Sequence, residues 1–366
     1  MKITCKRTEL ADVLTALSPA IPTKPTDPCY KNVHLKLQAK DAVLTGSDGE
    51  VTISIDLPVS YQDLERDGTM LLPHARLAQI ARAAIGEDVT LSTSVKDPHR
   101  VTIQCGGGEW TLQLEDSESY RMPKTESVKT CGAVAARVLN NALGKTVFCC
   151  DMDSTRYALG GVYVEMDGSD LRMVATDSRR LSVAELNIPD ATTELPPPVI
   201  PAKGVRAVMS AIQAGDVSIG WSKNFAVFEG EHATVTTRLL EGRFPNYRQV
   251  IPHVFAQEIE VPRLALLSAV RQSMIVINTE SRGIDLCFDT ENLTIKGTGQ
   301  DIGKASIQIP LSGATEEQVT LNPQFIIDAL KVMQSDSIAL KFNDSDLPFV
   351  IEEAGNLHVI MPMARE

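Results

Sequence analysis

Residues 33–57 read "VHLKLQAKDAVLTGSDGEVTISIDL" and residues 162–186 read "VYVEMDGSDLRMVATDSRRLSVAEL". The two stretches align without a gap. Val33, Leu35 and Leu37 fall on Val162, Val164 and Met166; Asp41 falls on Asp170, Leu44 on Met173 and Asp48 on Asp177. A third copy, "GIDLCFDTENLTIKGTG", starts at Gly283 and places Ile284, Leu286, Phe288, Asn292, Ile295 and Gly297 in the same register. Each copy alternates apolar and polar residues, breaks at a short polar turn and alternates again, which is the pattern of antiparallel strands with one face buried. Three copies in a shared register predict three similar domains, 1–125, 126–252 and 253–366, and the 366-residue length accommodates three cores.

Helical signals recur at twice that frequency. Six segments with helical apolar spacing and no internal proline begin near Glu9, His74, Ala133, Ala202, Pro262 and Asn322. Between them lie alternating runs such as "DVTLSTSV", "RVTIQC", "DVSIGW", "FAVFEG" and "SIALKF". Each domain is therefore expected to be helix, strands, helix, strands: an α+β fold of three similar domains, each with two helices packed on antiparallel sheets. Linkers are expected near "SYRMPKTES" and "FPNYRQVIPH".

The chain is acidic, with a formal net charge of −12. That total argues against a protein held to nucleic acid by charge alone, but the charge is not evenly spread. Segments 74–85, 133–147, 202–214 and 262–277 carry Arg76, Arg82, Arg137, Lys145, Lys203, Arg206, Arg263 and Arg271, and none of the chain's 47 acids. If these helices share a surface, it is basic in an acidic protein and suits weak, sequence-blind phosphate contact. Aromatic residues do not interleave with these charges, so stacking on single strands is not indicated.

Signals for other classes are weak. No apolar run reaches the ~20 residues of a membrane span, and "MKITCKRTEL" does not read as a signal peptide, so the expected location is cytoplasmic. The seven cysteines form no C-x-x-C pair and read as reduced thiols; adjacent Cys149 and Cys150 close an apolar helical pattern and read as core. "CGGGEW" (105–110) and "GTGQDIG" (297–303) lack the lysine and the strand-to-helix context of a phosphate loop and read as hairpin turns. The six histidines show no metal-ligand spacing, and no nucleophile elbow is present, so no metal, cofactor or catalytic residue is expected. These absences leave an acidic enzyme with an unrecognised site and a protein-only scaffold as competing readings.

Four motifs in order narrow the choice: "STRYALGGV" (154–162), "VATDSRRLS" (174–182), "EGRFPNYRQVIP" (241–252) and the terminal "MPM" (361–363). With the threefold repeat and the basic helices, the whole chain resembles the bacterial DNA sliding clamps, the β subunits of DNA polymerase III. The resemblance implies a non-catalytic processivity factor. Two protomers would join head to tail into a ring around duplex DNA, with the helices lining the hole. The ring would tether polymerase, clamp loader and repair proteins through short peptides.

The resemblance also implies sites. A peptide groove would use Leu159, Thr176, Arg179, Arg180, Leu181, Pro245, Val250, Pro348, Val359, Ile360, Met361, Pro362 and Met363, of which Leu181 and Val359 read equally as core. Methionine suits an adaptable apolar wall. The ring interface would place Trp110 and Leu112 against Ile275 and Val276, although Trp110 reads equally as a core residue. Lys24 and Tyr157 would join the helix cations at the DNA. Departures from the family pattern are Ser178-Arg179 in place of Gly-His, Gln249 in place of arginine, Ala158 in place of tyrosine, the acidic "CCDMDST" loop and the tail Ala364-Arg365-Glu366. Arg179 implies a preference for partners with acidic flanks.

Overall fold

The computed structural model describes residues 1–38, 41–60, 68–94, 96–123, 128–153, 157–189, 191, 195–277, 283–299, 302–311 and 316–364. One unit is built six times: a short lead strand, a helix and a three-stranded meander. The first is β1 (Lys2–Lys6), α1 (Arg7–Leu17), β2 (Asn32–Gln38), β3 (Asp41–Ser47) and β4 (Val51–Asp56). The second is β5 (Gly68–Pro73), α2 (His74–Ala83), β6 (Asp88–Ser94), β7 (Asp97–Cys105) and β8 (Gly108–Gln113). The third is β9 (Lys129–Ala135), α3 (Ala136–Thr146), β10 (Gly161–Asp167), β11 (Asp170–Thr176) and β12 (Arg180–Asn187). The fourth is β13 (Val199–Pro201), α4 (Ala202–Ala211), β14 (Asp216–Trp221), β15 (Phe225–Glu229) and β16 (Ala233–Arg238). The fifth is β17 (Gln257–Pro262), α5 (Arg263–Ser273), β18 (Ile284–Phe288), β19 (Asn292–Gly299) and β20 (Gly303–Pro310). The sixth is β21 (Glu317–Leu321), α6 (Pro323–Val332), β22 (Ser337–Phe342), β23 (Phe349–Glu353) and β24 (Asn356–Ile360).

The aligned stretches are the meanders β2–β4 and β10–β12 and the hairpin β18–β19, in the register the sequence predicts. Their turns share chemistry. Asp48 Oδ1 accepts from the backbone N–H groups of Glu50 and Val51, and Asp177 Oδ1 accepts from those of Arg179 and Arg180. Each aspartate thus satisfies the backbone donors of its own turn. The lead strands were not expected. They cross to the meander of the neighbouring unit: β1 pairs with β6, β5 with β2, β9 with β14, β17 with β22 and β21 with β18. Here the helix expected from Ala133 starts three residues later. Ala133, Val134 and Ala135 are strand, paired with Ser218, Val217 and Asp216.

The chain forms two compact units, Met1–Asn140 with Ile188–Leu240 and Asn141–Asn187 with Glu241–Glu366. In the first, an antiparallel sheet runs β5-β2-β3-β4-β16-β15-β14-β9 and a four-stranded sheet runs β1-β6-β7-β8. α1 packs on α2 and α4, and Trp221, Phe228, Leu10 and Leu14 are fully buried. In the second, β10-β11-β12-β24-β23-β22-β17 follow one another in one sheet and β20-β19-β18-β21 form another. α5 packs on α6 over a core that includes the Phe288–Phe342–Phe349 ring series. Cys5, Cys29, Cys105 and Cys149 are buried free thiols; burial pushes Cys5 up to about 12 and Cys149 well above its ordinary value, which keeps both unreactive. No helix among the described residues is long and apolar enough to cross a membrane.

Arginine takes a structural role at the start of two helices. Arg7 donates from Nε to the Gly86 carbonyl (2.9 Å) and from a terminal nitrogen to the Ala81 carbonyl (2.8 Å), closing the C-terminus of α2. Arg263 does the same for α6 through Ser335 (2.8 Å) and Leu330 (3.2 Å). A cation there meets unsatisfied carbonyls and the negative end of the helix dipole. The equivalent first residue of α3 is Ala136, and Asn140 instead donates to the Ile212 carbonyl beyond α4 (2.7 Å).

Candidate functional site

The site lies on the second unit, over the seam where β12 meets β24. Their register sets Leu181 opposite Val359 and Ser182 opposite His358. Side chains alternate across a sheet, so these pairs face opposite ways. Leu181 and Val359 form the floor of a cleft of ≈ 670 Å³. Ala158 and Leu159 wall one side, and Pro245, Tyr247 and Val250 another, with Met361 at the tail. The linker bearing Pro245 is clamped to β10. Tyr163 stacks on Phe244 at 4.9 Å and meets Tyr247 edge-on at 6.4 Å, and the Tyr247 hydroxyl donates to Glu165 (2.7 Å). Burial pushes the Glu165 carboxyl up, but the bonds from Tyr247 and Arg248 outweigh it and hold its pKa below the usual value.

The β11–β12 turn shapes the rim. Ser178 adopts φ 72°, a left-handed conformation that favours glycine. Its N–H donates to the Thr176 hydroxyl (3.2 Å), which itself donates to the Arg180 carbonyl (2.6 Å). Ser178→Gly is expected to stabilise the protein by about 1 kcal/mol through relief of that conformation, read as a higher denaturant midpoint.

The adjacent arginines differ. Arg180 is a clasp: it donates to Asp177 (2.9 Å), Asp328 (2.8 Å) and the Phe148 carbonyl (3.0 Å), and its guanidinium lies 4.5 Å from the Phe325 ring centroid. Arg179 is exposed at the rim, and its carbonyl accepts from the Met361 N–H (2.9 Å), which fixes the tail against the cleft.

Nine expected groove residues line the cleft: Leu159, Thr176, Arg179, Arg180, Leu181, Pro245, Val250, Val359 and Met361. Four do not. Ile360 follows Val359 in a strand, so it points the other way, into the core at 1% exposure. Met363 has left the cleft; its N–H donates to the Thr320 carbonyl (2.9 Å), which lays the tail along β21. Half-buried Pro362 is the bridge between these anchors, and Pro348 is half-buried before β23. Ala158, Ser178, Glu241, Gly242, Arg243, Asn246 and Tyr247 complete the lining. Most of them belong to the "EGRFPNYRQVIP" motif, which was their available signal.

Behind the floor lies a buried polar layer. Lys145 and Glu353 pair at 2.7 Å, with side chains 12% and 3% exposed. Glu353 also accepts from the backbone of Gln334 and Ser335 (both 2.9 Å). Burial pushes this carboxyl up, but Lys145 and the two N–H groups win and lower it to about 2. Ser182 donates to the Lys145 carbonyl (2.5 Å), and fully buried His358, beside Asn356 at 3.0 Å, is driven by burial down to about 3.

These contacts revise the cation map. Lys145 is buried against Glu353, Arg263 caps α6, and Lys203 is ion-paired with Asp48, all expected at a DNA surface. Their ammonium or guanidinium groups satisfy acceptors within the fold. Arg76, Arg82, Arg137, Arg206, Arg271 and Lys24 are exposed, and among the described residues none of them forms an ion pair. The Tyr157 side chain, Ser154–Thr155 of the acidic loop, and Arg365 and Glu366 lie outside the described residues. At the proposed ring edges, Trp110 and Leu112 are half-buried on β8, an outermost strand of its sheet. Ile275 is 78% exposed in the turn Met274–Val276 after α5.

The comparisons with known proteins account for the whole repeat. The DNA polymerase III beta subunit models match in order: the N-terminal domain over residues 1–123, the central domain over 133–246 and the C-terminal domain over 248–364. The chain belongs to the DNA polymerase III β-subunit family. A curated β sliding clamp of Synechococcus elongatus is 27% identical over 99% of both chains, and one of Staphylococcus aureus is 25% identical over 97% of this chain and 96% of its own. The fold matches the DnaN sliding clamp from Pseudomonas aeruginosa, solved bound to griselimycin, with a TM-score of 0.92 and 22% identity over 100% of both chains. As a β-clamp family member, this protein is a processivity factor of DNA replication.

Proposed function

We propose that two copies of this chain close head to tail into a non-catalytic ring that encircles duplex DNA. The ring holds a polymerase, a clamp loader and repair proteins through short peptides seated in the ≈ 670 Å³ cleft. One observation carries the ring: the chain already makes the required joint twice. β4, the last strand of the first meander, pairs with β16, the last strand of the fourth; β12, last of the third, pairs with β24, last of the sixth. Each joint is antiparallel and joins the last strand of a domain's first half to the last strand of the next domain's second half. Under that rule two strands remain unmatched, β20 and β8, and both are outermost in their four-stranded sheets. A strand edge seeks a partner for its open hydrogen bonds. β20 of one copy on β8 of the next repeats the joint, and a heterologous contact of this kind closes when the rotation closes. Exposed Ile275 and Ile302 flank the β20 edge.

In this scheme each pair of units is one domain, with proposed bounds 1–125, 126–252 and 253–366. In the ring the helices line the hole. The five exposed helix arginines then face phosphates without base readout, while the acidic remainder keeps DNA off the outside. At the cleft, exposed Arg179 and Arg243 outnumber Glu241 at the rim, which supports partners carrying acidic flanks.

Leu112→Asp is expected to convert the dimer to a monomer, because it places a charge in the strand edge that must pair and desolvate. Light scattering at micromolar concentration should show the mass halved. An unchanged dimer would move the interface away from β8.

A further inference from the structure

The apolar floor does not end at Tyr247. On the far side of that residue a second hollow, of ≈ 330 Å³, opens over the same sheet. Its floor is the next outward-facing pair along the same seam. Leu181 opposes Val359 under the first cleft; two residues along, Val183 opposes Leu357 under the second, and Ile251 joins them there. Tyr247 lines both hollows. It is 6% exposed, bonded to Glu165, and its ring lies 5.1 Å from the Arg248 guanidinium, so it is a fixed partition.

The charges around the second hollow are mutually satisfied. Arg172 pairs with Glu185 at 2.7 Å, Arg248 with Glu165 at 2.6 Å and Glu352 with Lys341 at 2.9 Å. A rim with its charges paired selects little by charge, which leaves the apolar floor as the recognition element. The volume falls within the range of small ligand pockets.

We infer that this second hollow is a further subsite for the same partner segment, taking an apolar side chain two residues from the one seated on Leu181 and Val359. The spacing argues for it. Two residues of an extended chain advance about 7 Å and point their side chains to one face, which is also the advance from one floor pair to the next. Continuity picks the occupant: a segment that fills the first cleft already reaches the Tyr247 partition. The inference rests on the first cleft being a peptide site.

The test uses the full-length protein labelled at Leu, Val and Ile methyl groups. It is titrated with acetyl-Leu-Ser-Leu-amide and, separately, with acetyl-Leu-Ser-Ser-amide. The first probe should shift the methyl signals of Leu181 and Val359 together with those of Val183, Leu357 and Ile251. The second should shift only the former pair and bind about tenfold more weakly, the effect of one unburied leucine. Ile251→Asp, a change in a loop, should remove that tenfold gain and leave the first-cleft shifts in place; Val183→Thr should weaken it with little change of volume. Shifts confined to the first cleft with both probes, or a gain that survives both variants, overturn the inference. If neither probe moves the first-cleft signals, the peptide-site reading fails and the inference falls with it.

Discussion

Arg180→Ala is expected to destabilise the protein by about 3 kcal/mol, the cost of breaking a buried ion pair from one side. The Arg180 side chain is 13% exposed, and its partners Asp177 and Asp328 are 19% and 21% exposed. Removing it leaves two carboxylates without their cation, strips a donor from the Phe148 carbonyl, and empties the space between the Phe148 and Phe325 rings, which lie 5.3 and 4.5 Å from the guanidinium. Water reaches these groups only in part, so solvent recovers little of the loss. The same change should loosen the cleft, because Arg180 anchors the strand end that carries Leu181. Arg180→Met, which keeps the stem volume, should recover a minority of the loss. Denaturant midpoints with a common slope measure it; a loss near zero for Arg180→Ala would show that the clasp contributes nothing to the fold.

Acid is expected to destabilise the protein in two stages, the first from His358. Folded, this imidazole stays neutral down to about 3 because it is fully buried; unfolded, it takes a proton near 6.5. As pH falls from 6.5 toward 3 the unfolded chain binds a proton the native state refuses, so stability is lost with acid at about 1.4 kcal/mol per pH unit. Between pH 7 and pH 5 the His358 share is about 2 kcal/mol. His34, whose pKa burial also lowers, acts in the same direction. Glu353 adds the second stage. Its carboxyl is held near 2, so its contribution is complete above the ordinary carboxyl pKa and is lost as pH falls toward 2. His358→Gln should flatten the first stage by its share and leave the second. Unfolding curves at pH 7, 6 and 5 decide it: equal slopes for the two proteins would mean that His358 is not held neutral.

Much of the architecture was legible because strand alternation has a period of two and survives divergence. The meanders around Val33, Val162 and Ile284 share one alternating register, and the turn aspartates of the first two, Asp48 and Asp177, mark the break points. The lead strands were not legible. β13 has three residues, Val199–Pro201, too few for a period, and β9 ends in Ala133-Val134-Ala135, which reads as helix until Asp216–Ser218 pairs with it. Pairing between distant segments decides such cases.

The same limit applies to the site. Motifs located Leu181, Val359 and Met361, but choosing Val359 over Ile360 requires the register of β24 on β12. Counting charge by helix identified which helices are basic. It could not show that Arg263 turns back to cap α6, that Lys145 turns to Glu353 or that Lys203 turns to Asp48, because those acceptors are far away in sequence. The surviving exposed arginines sit on α2, α3, α4 and α5 and still match the charge segregation.

The central claim is topological, and a topological measurement tests it. The protein is loaded on nicked circular DNA, washed in high salt to remove charge-held molecules, and the plasmid is then cut once. A ring that encircles DNA stays on the circle through the wash and is lost from the cut molecule by sliding off its ends. Equal retention on circular and linear DNA would contradict the account.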